Sequence, residues 1–179
     1  MSAAVSANEP TAAGVKFIRS AVLRYATSRM RRDYFTLSKQ GTEADDPATP
    51  TLVVGYEGPT DELAERLHDD GTPLEEDGLD VAYRLHEPLD IDDPSGVLAV
   101  ADRVTGEYVL EVNADAGLVS ELVESARDAD DPEDGHFRIV IEDEDGTQLD
   151  AHKASTLLVY DADGNLLREE SLIPSGVEL

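Results

Sequence analysis

The stretch GVLAVADRVTGEYVLEVNADAGLVSELVESARD, residues 96–128, carries the most regular apolar pattern in the chain. Two apolar segments flank Thr105-Gly106, where glycine can adopt the positive φ that a tight hairpin turn needs. Asp115 then stands at the N-cap position of a segment whose apolar residues recur every three or four positions. The stretch therefore predicts a β-hairpin followed directly by an amphipathic helix. The apolar stripe of that helix comprises Leu118, Val119, Leu122, Val123 and Ala126.

Alternating segments on both sides of this stretch predict further strands. These segments are DYFTLS (33–38), TLVVGYEG (51–58), LDVAYRLH (79–86) and HFRIVIEDEDGTQLDA (136–151), the last with a turn at Asp145-Gly146. The alternation places Asp80, Arg84 and His86 on the outer face of the third segment. The residues expected to face inward on the second and third segments are Leu52, Val54, Tyr56, Leu79, Val81, Tyr83 and Leu85.

A second, shorter helix and a final hairpin complete the pattern. PTDELAERLHDD (59–70) predicts the helix, with Thr60 as its N-cap and Leu63 and Leu67 one turn apart. TLLVYDADGNLLREESL (156–172) predicts the hairpin, with its turn at Asp163-Gly164. The tail IPSGVEL follows as an extended segment.

The apolar pattern repeats along the chain at an offset of 55 or 56 residues. Positions 52, 54, 56, 63, 67, 81, 83 and 85 correspond to positions 108, 110, 112, 118, 122, 137, 139 and 141. An internal strand–helix–strand duplication and a chance match of generic amphipathic units both account for this repeat. Either one predicts an α+β fold, with a mainly antiparallel sheet and two helices packed on one face. A ferredoxin-like sandwich with added hairpins is one concrete version.

The charge of the chain is extreme. Forty acidic residues face fourteen basic ones, for a formal net charge of −26. At about 1 M salt the Debye length is only about 3 Å, so repulsion across such a surface is screened. Because the acids are spread through apolar, periodic segments, we interpret them as an adaptation to a cytoplasm with molar salt, rather than as an acidic tail. The same surface argues against general nucleic-acid binding.

The basic residues of the first part of the chain break this pattern. Residues 1–29 carry a net charge of +3, and residues 30–179 carry a net charge of −29. An extension ahead of a true start at Met30, or a disordered one, explains this break; a basic arm that binds nucleic acid or an acidic partner is the alternative. A targeting peptide does not fit, because the segment has no apolar core of 7–15 residues. We therefore expect one acidic α+β domain over residues 30–179. No apolar run in the chain approaches the roughly 20 residues that span a bilayer.

The sequence offers no grouping of residues that is typical of a catalytic or metal site. The four histidines, expected to be solvated, do not share the spacings of metal ligands; they are His68, His86, His136 and His152. DADGN (161–165) begins like a calcium loop, but Leu166 and Leu172 stand where that loop needs glycine and glutamate. DEDG (143–146) fails similarly, so both are predicted to be hairpin turns. We therefore assign no catalytic, cofactor-binding or metal-binding residue from the sequence.

Three segments resemble a known family. MRRDYFTL, GVLAVADRVTGEYVLEVNADAG and LLVYDADGNLLREESLIPSGVEL are similar to a family of small acidic haloarchaeal proteins of unknown function that open with MRRDYFTL. The resemblance runs from Met30 to Leu179 and covers nothing before Met30, in agreement with the charge break. It implies a haloarchaeal origin and a cytoplasmic location, and it brings no activity, ligand or cofactor.

These observations favour a non-enzymatic cytoplasmic domain that acts by protein–protein interaction, with itself or with another protein. The final hairpin and tail would offer it an edge strand. The alternative is a small-molecule-binding domain or enzyme with a pocket between sheet and helices. Such a pocket would be lined by Tyr56, Tyr83 or Tyr108.

Overall fold

The computed structural model describes residues 31–40, 49–69, 72–75, 78–128 and 135–174. Its strands and helices, in chain order, are β1 Phe35–Gln40, β2 Thr51–Tyr56, α1 Thr60–Arg66, β3 His68–Asp69, β4 Thr72–Pro73, β5 Leu79–Leu85, β6 Ser95–Asp102, β7 Tyr108–Asp115, α2 Ala116–Arg127, β8 Phe137–Glu142, β9 Gln148–Ala154 and β10 Leu157–Tyr160. Single 3-10 turns lie at Arg32–Tyr34 and Arg168–Glu170. No helix in these ranges is long and apolar enough to cross a membrane.

The strands form two four-stranded sheets and a small β3–β4 ribbon. The first sheet has the order β1-β2-β8-β9 and the second has the order β10-β5-β6-β7. Each contains one parallel pairing, β2 with β8 and β10 with β5, among otherwise antiparallel neighbours. The fold thus combines sheets and helices as expected, but the expected single sheet is wrong, and so is the ferredoxin-like sandwich built on it. Alternation of apolar residues reports which side chains face inward, and it carries no record of which distant strand lies alongside.

The two strand–helix–strand units each cross from one sheet to the other. The first unit runs from β2 in the first sheet through α1 to β5 in the second. The second unit runs from β7 in the second sheet through α2 to β8 in the first. Both units therefore connect the two sheets, but the first unit leads from the first sheet to the second and the second unit leads back. Both helices contact β7, and α2 also contacts β1.

The core lies where the inner faces of the sheets and the helix stripes meet. Every residue predicted to face inward on β2 and β5 is buried, as are Phe137, Ile139 and Ile141 of β8. The α2 stripe is confirmed at Val119, Leu122, Val123 and Ala126, whereas Leu118 is only partly buried. Leu118 lies at the margin of the stripe, where the helix surface curves away from the core.

The predicted turns and caps agree with the structure in part. Gly106, Gly146 and Gly164 all have positive φ, so the three glycine turns are confirmed. Asp115 occupies the N-cap of α2, although its side chain makes no capping hydrogen bond. At α1 the N-cap is Pro59 and not Thr60, which is the first helical residue.

Candidate functional site

A groove lies on the outer face of the second sheet. The strands β5 and β6 bury alternate residues such as Val81, Tyr83 and Leu98, so their remaining side chains point to the opposite face. The register aligns Ala82 with Ala99, and Arg84 with Val97. The small side chains of Ala82, Val97 and Ala99 leave a concave floor between the longer residues of the flanking strands. The resulting cavity, here called the outer groove, has a volume of about 380 Å³.

Two tyrosines flank the outer groove on opposite sides. Tyr160 ends β10, where it is aligned with Arg84 of β5. Tyr108 begins β7 and is aligned with Ala101 of β6. Since β10 and β7 are three inter-strand spacings apart, the two tyrosines are separated by roughly 14 Å perpendicular to the strands and by a further four residues, roughly 13 Å, along them. Tyr108 is 61% exposed, and exposed aromatic rings of this kind are typical of contact surfaces rather than of free surface.

The charge of the outer groove is opposite to that of the chain. Its lining includes three basic residues, Arg32, Arg84 and His86, and one acidic residue, Glu111. Arg32 Nε lies 3.0 Å from Glu111 Oε2, which neutralises that carboxylate locally. Arg84 donates one hydrogen bond of 2.9 Å, from Nη2 to the carbonyl oxygen of Ala162. This contact holds the guanidinium beside the turn that follows β10. On a chain with a net charge of −26, the groove is therefore a local basic site with an apolar floor.

A smaller cleft of about 90 Å³ lies at the turn between β6 and β7. Its lining includes Arg66 and His68 together with Asp102 and Glu107. Arg66 Nη1 donates a 2.9 Å hydrogen bond to the carbonyl oxygen of Tyr108, so this arginine helps to hold the start of β7. Within the described ranges, no group of three or more histidine, aspartate or glutamate side chains is placed to hold a metal ion. The cleft is too small for a drug-sized ligand.

Of the residues expected at a pocket, Tyr56, Tyr83 or Tyr108, the first two are placed in the core instead. Tyr56 and Tyr83 are buried in the core, and their hydroxyls donate hydrogen bonds of 2.7 Å to the Pro59 carbonyl oxygen and 3.0 Å to the Ala114 carbonyl oxygen. Burial raises the pKa of both tyrosines above its ordinary value. Both side chains therefore stabilise the fold, whereas Tyr108 lines both the outer groove and a second, smaller cleft.

The histidines are not all solvated as expected. His68 and His86 are exposed, but His152 of β9 is only 3% exposed. Its Nε2 lies 3.2 Å from Asp150 Oδ2, and its Nδ1 lies 3.4 Å from the carbonyl oxygen of Glu75. The alternation of β9 was too weak in the sequence to place His152 on the inner face. The structure thus gives it a packing position between β9 and the segment that precedes β5.

The acidic turns are built as turns, as predicted. Asp161 accepts hydrogen bonds of 2.7 Å from Asn165 N and 2.9 Å from Asn165 Nδ2, which lower the pKa of its carboxyl group. Asp143 accepts bonds from Asp145 N and Thr147 N in the same way. At the β6–β7 turn, Asp102 accepts from the backbone and hydroxyl of Thr105, and these bonds lower the Asp102 pKa. These carboxylates therefore stabilise the backbone conformation of their own turns.

Over residues 157–172, the return segment of the final hairpin covers the outer edge of β10. That the hairpin and tail offer an edge strand to a partner stays a prediction. After the Gly164 turn, the return segment forms backbone bridges that pair Tyr160 with Leu166 and Leu157 with Leu172. Ser171 Oγ accepts a 2.9 Å hydrogen bond from Val159 N. Arg127 at the end of α2 donates bonds of 2.7 Å to two carbonyl oxygens of the return segment, those of Glu169 and Ser171. Residues 175–179 of the predicted tail lie outside the described residues. β10 itself is therefore not an open edge in the described part of the chain.

Comparison with known proteins yields one match. The sequence profile of a family described as "Family of unknown function (DUF5793)" matches residues 30–179. No curated protein and no solved structure matches the chain. The match begins at Met30, where the charge of the sequence changes sign. The resemblance to a family of unknown function is confirmed, and its haloarchaeal origin stays a prediction.

Proposed function

The chain belongs to this family of unknown function, and from that premise we propose that it is a non-enzymatic binding domain whose outer groove receives a segment of a protein partner. One observation carries the proposal: on a strongly acidic chain, two arginines, a histidine and two tyrosines surround an apolar floor on one sheet face. Arginine and tyrosine are enriched among the residues that dominate binding energy at protein interfaces. The groove has the composition of such an interface, with a polar border around an apolar centre.

The chemistry of the groove sets the kind of segment that it would bind. Arg84 has a planar fork of five N–H donors, and one Nη2 bond to Ala162 leaves further donors for carboxylates. The floor of Ala82, Val97 and Ala99 would take small or branched apolar side chains. The segment would therefore combine acidic and aliphatic residues. Apolar contact there excludes water, which strengthens the charge pairs around it.

The proposal includes a high-salt cytoplasm. It is supported by the spread of acidic residues over strands, turns and helices. Repulsion between so many like charges destabilises the compact chain, and abundant salt screens that repulsion. Attraction between exposed charges is weakened in the same solvent. The apolar floor of the groove is then essential, because burial of apolar surface persists when charges are screened.

Binding of a small organic anion in the same groove is the second candidate. The volume of about 380 Å³ lies within the roughly 300–1,000 Å³ of small-molecule sites. A planar anion would lie on the alanine floor with its charge at Arg84. This candidate uses the outer face of the second sheet, and not the space between sheet and helices where the sequence placed a pocket.

A site-specific photocrosslink tests the proposal. The photoreactive residue p-benzoylphenylalanine would replace Tyr160 at the groove and, in a matched control, Leu149, an exposed apolar residue of β9 on the first sheet. The full chain is expressed in its native cells and irradiated, and adducts are identified by mass spectrometry. We expect one defined protein adduct from position 160, lost when Arg84→Glu is added, and none from position 149. Equal adducts at both positions, or an adduct indifferent to Arg84→Glu, would overturn the proposal.

The same material separates the two candidates. Native mass spectrometry of the purified chain would show a bound small anion as an added mass. If such a mass is present and is lost in the Arg84→Glu variant, while position 160 gives no protein adduct, the small-anion candidate replaces the protein partner.

A further inference from the structure

The loop between β5 and β6 displays the residue types that the outer groove would bind. In this loop, Leu89 and Ile91 are 42% and 44% exposed, although both are large aliphatic side chains. Asp90, Asp92 and Asp93 surround them, and all three are exposed. The result is an acidic and aliphatic segment, LDIDD, at positions 89–93. Large exposed aliphatic residues are few elsewhere in the described part of the chain, which makes their proximity here informative.

The loop is closed at its base by hydrogen bonds. Glu87 Oε2 accepts bonds of 3.3 Å and 3.2 Å from the backbone N and the hydroxyl of Ser95. His86 N donates to the Ser95 carbonyl oxygen at 2.9 Å, and Ala116 N donates to the Pro94 carbonyl oxygen at 2.9 Å. The exposed segment is therefore held between fixed ends, so little conformational freedom would be lost when it binds.

We propose that the outer groove is occupied by the β5–β6 loop of a second copy of this chain, in a two-fold dimer. This inference rests on the proposed function and names the partner. Asp90, Asp92 and Asp93 would meet Arg84, on the β10 side of the groove, and Arg32, on the β7 side. Leu89 and Ile91 would lie on its apolar floor. A two-fold interface repeats each contact, so the loop of either copy fills the groove of the other.

The position of the loop supports this reciprocal arrangement. It joins the two strands, β5 and β6, whose outward side chains form the groove floor. A two-fold axis near the loop would therefore bring both loops and both grooves into one continuous interface. Stable interfaces bury about 800 Å² on each partner, and two loop–groove contacts supply twice the area of one. The two copies repel each other through their net charge, so the dimer requires the screening that molar salt provides.

The test measures the mass of the full chain by sedimentation velocity in molar potassium chloride. A loop variant carries Leu89→Ser and Ile91→Ser, and a groove variant carries Arg84→Glu. The matched control is Val104→Ser, which alters another exposed aliphatic residue, 89% exposed, in the β6–β7 turn. We expect the native chain and the control to be dimers. Each of the other variants should associate at least about tenfold more weakly.

Mixing the two variants is the decisive measurement. In a dimer of either variant alone both loop–groove contacts are impaired, but a mixed pair retains one intact loop facing one intact groove. An equimolar mixture should therefore form dimers that neither variant forms alone, and this outcome also shows that both variants are folded. Circular dichroism melts that match the Val104→Ser control give an independent check of folding.

Several outcomes would overturn the inference, and they leave the proposed function distinguishable. A monomeric native chain, a dimer indifferent to both variants, or a mixture that stays monomeric would each exclude the loop as the occupant. If the Tyr160 position then still gives an Arg84-dependent adduct with a different protein, the groove remains a binding site and only the second copy is wrong. If that adduct is also missing, the proposed function fails as well.

Discussion

The Tyr83 hydroxyl donates a 3.0 Å hydrogen bond to the carbonyl oxygen of Ala114. Tyr83 lies on β5 and Ala114 on β7, so the side chain passes over the intervening strand β6. Gly96 of β6 is the register partner of Ala114 and leaves the space for the ring. A Cβ on Gly96 would lie 2.7 Å from Tyr83 Cζ and would also contact the Arg84 carbonyl oxygen. This hydrogen bond thus links β5 to β7 across the inner face of the second sheet, two residues before α2 begins.

Gly96→Ala should therefore destabilise the chain. The added methyl group has no free volume, and overpacking of this kind costs about 1–3 kcal/mol. The matched control is Gly117→Ala in α2, where a Cβ would meet nothing within 4 Å. Because alanine is favoured over glycine in helices, that variant should gain up to about 1 kcal/mol. Urea unfolding in molar potassium chloride measures both. Equal stability of the two variants would show that the tyrosine does not need the space at Gly96.

The buried tyrosine also predicts a loss of stability at alkaline pH. Burial raises the pKa of Tyr83 above its ordinary value of 10.0, with Asp115 and Glu87 adding to the shift. The folded state therefore keeps the proton at a pH where the unfolded state releases it. The stabilisation is complete below pH 10 and decreases as the pH rises above that value.

Tyr83→Phe should separate the hydrogen bond from the titration. Loss of the bond costs about 1–3 kcal/mol at neutral pH, because the Ala114 carbonyl oxygen is left without its partner. Above pH 10 the stability of this variant should fall less steeply than that of the native chain. Tyr108→Phe, at the exposed wall of the outer groove, serves as the control and should keep the native slope. Thermal melts between pH 9 and pH 11 give the comparison, and identical slopes in all three proteins would contradict it.

The inner faces of the strands were predictable because they depend on local alternation. Val81, Tyr83 and Leu85 lie two residues apart, and any strand containing them buries one face. The glycines of the turns were equally predictable, since only glycine adopts positive φ without strain. The pairing of Leu52 with Ile139 was not predictable, because residues distant in sequence leave no mark on each other's periodicity. That the two helices share one face of a sheet stays a prediction.

The outer groove was not predictable either, because it depends on which strands lie side by side. Its floor consists of Ala82, Val97 and Ala99, which are outward positions on strands whose neighbours are known only from the pairing. In the sequence these residues only separate the inward-facing apolar positions, and nothing there shows that they lie side by side. The available signal was small residues at outward positions beside Arg84, where polar residues are usual. Tyr108 was identified as a pocket residue, but next to the wrong partners.

The α2 stripe permits a paired test of burial. Leu122 is fully buried, so Leu122→Ala should cost about 2–5 kcal/mol through lost apolar contact and the cavity that remains. Leu118→Ala, one turn earlier in the same helix and only partly buried, should cost clearly less. Both changes keep helix propensity similar, so the difference reports packing alone. A loss below about 1 kcal/mol for Leu122→Ala would mean that α2 does not pack against the core through this residue.

Removal of residues 1–29 should leave the stability of the domain unchanged. The family match begins at Met30, and the charge of the sequence changes sign at the same place. A chain that starts at Met30 is compared with the full chain by thermal melting in molar potassium chloride. A midpoint well below that of the full chain would show that the first segment contributes to folding. It would also revive the alternative of a functional basic arm.

Salt should control the stability of the whole chain. Residues 30–179 hold thirty-nine acids and ten bases, so most carboxylates have no cation to pair with. Pairs such as Arg103–Asp80 are exposed, and each contributes only about 0–1 kcal/mol. A domain is stable by only about 5–15 kcal/mol, and unscreened repulsion can offset much of that. The chain should therefore be loosened or unfolded in dilute buffer.

Stability should rise as the salt concentration approaches 1 M, because the Debye length falls from about 10 Å at 0.1 M to about 3 Å. Lowering the pH toward 5 at low salt should partly replace salt, since protonation of the most crowded carboxylates removes like charges. Asp102 and Asp161 oppose this gain only at much lower pH: hydrogen bonds depress their pKa values, and their stabilisation is lost as the pH falls through those values. Far-UV circular dichroism melts across a potassium chloride series at neutral pH provide the measurement. A midpoint that stays flat from about 0.1 M to 2 M would show that the acidic surface is not an adaptation to salt, and its charge would then be assigned to partner binding.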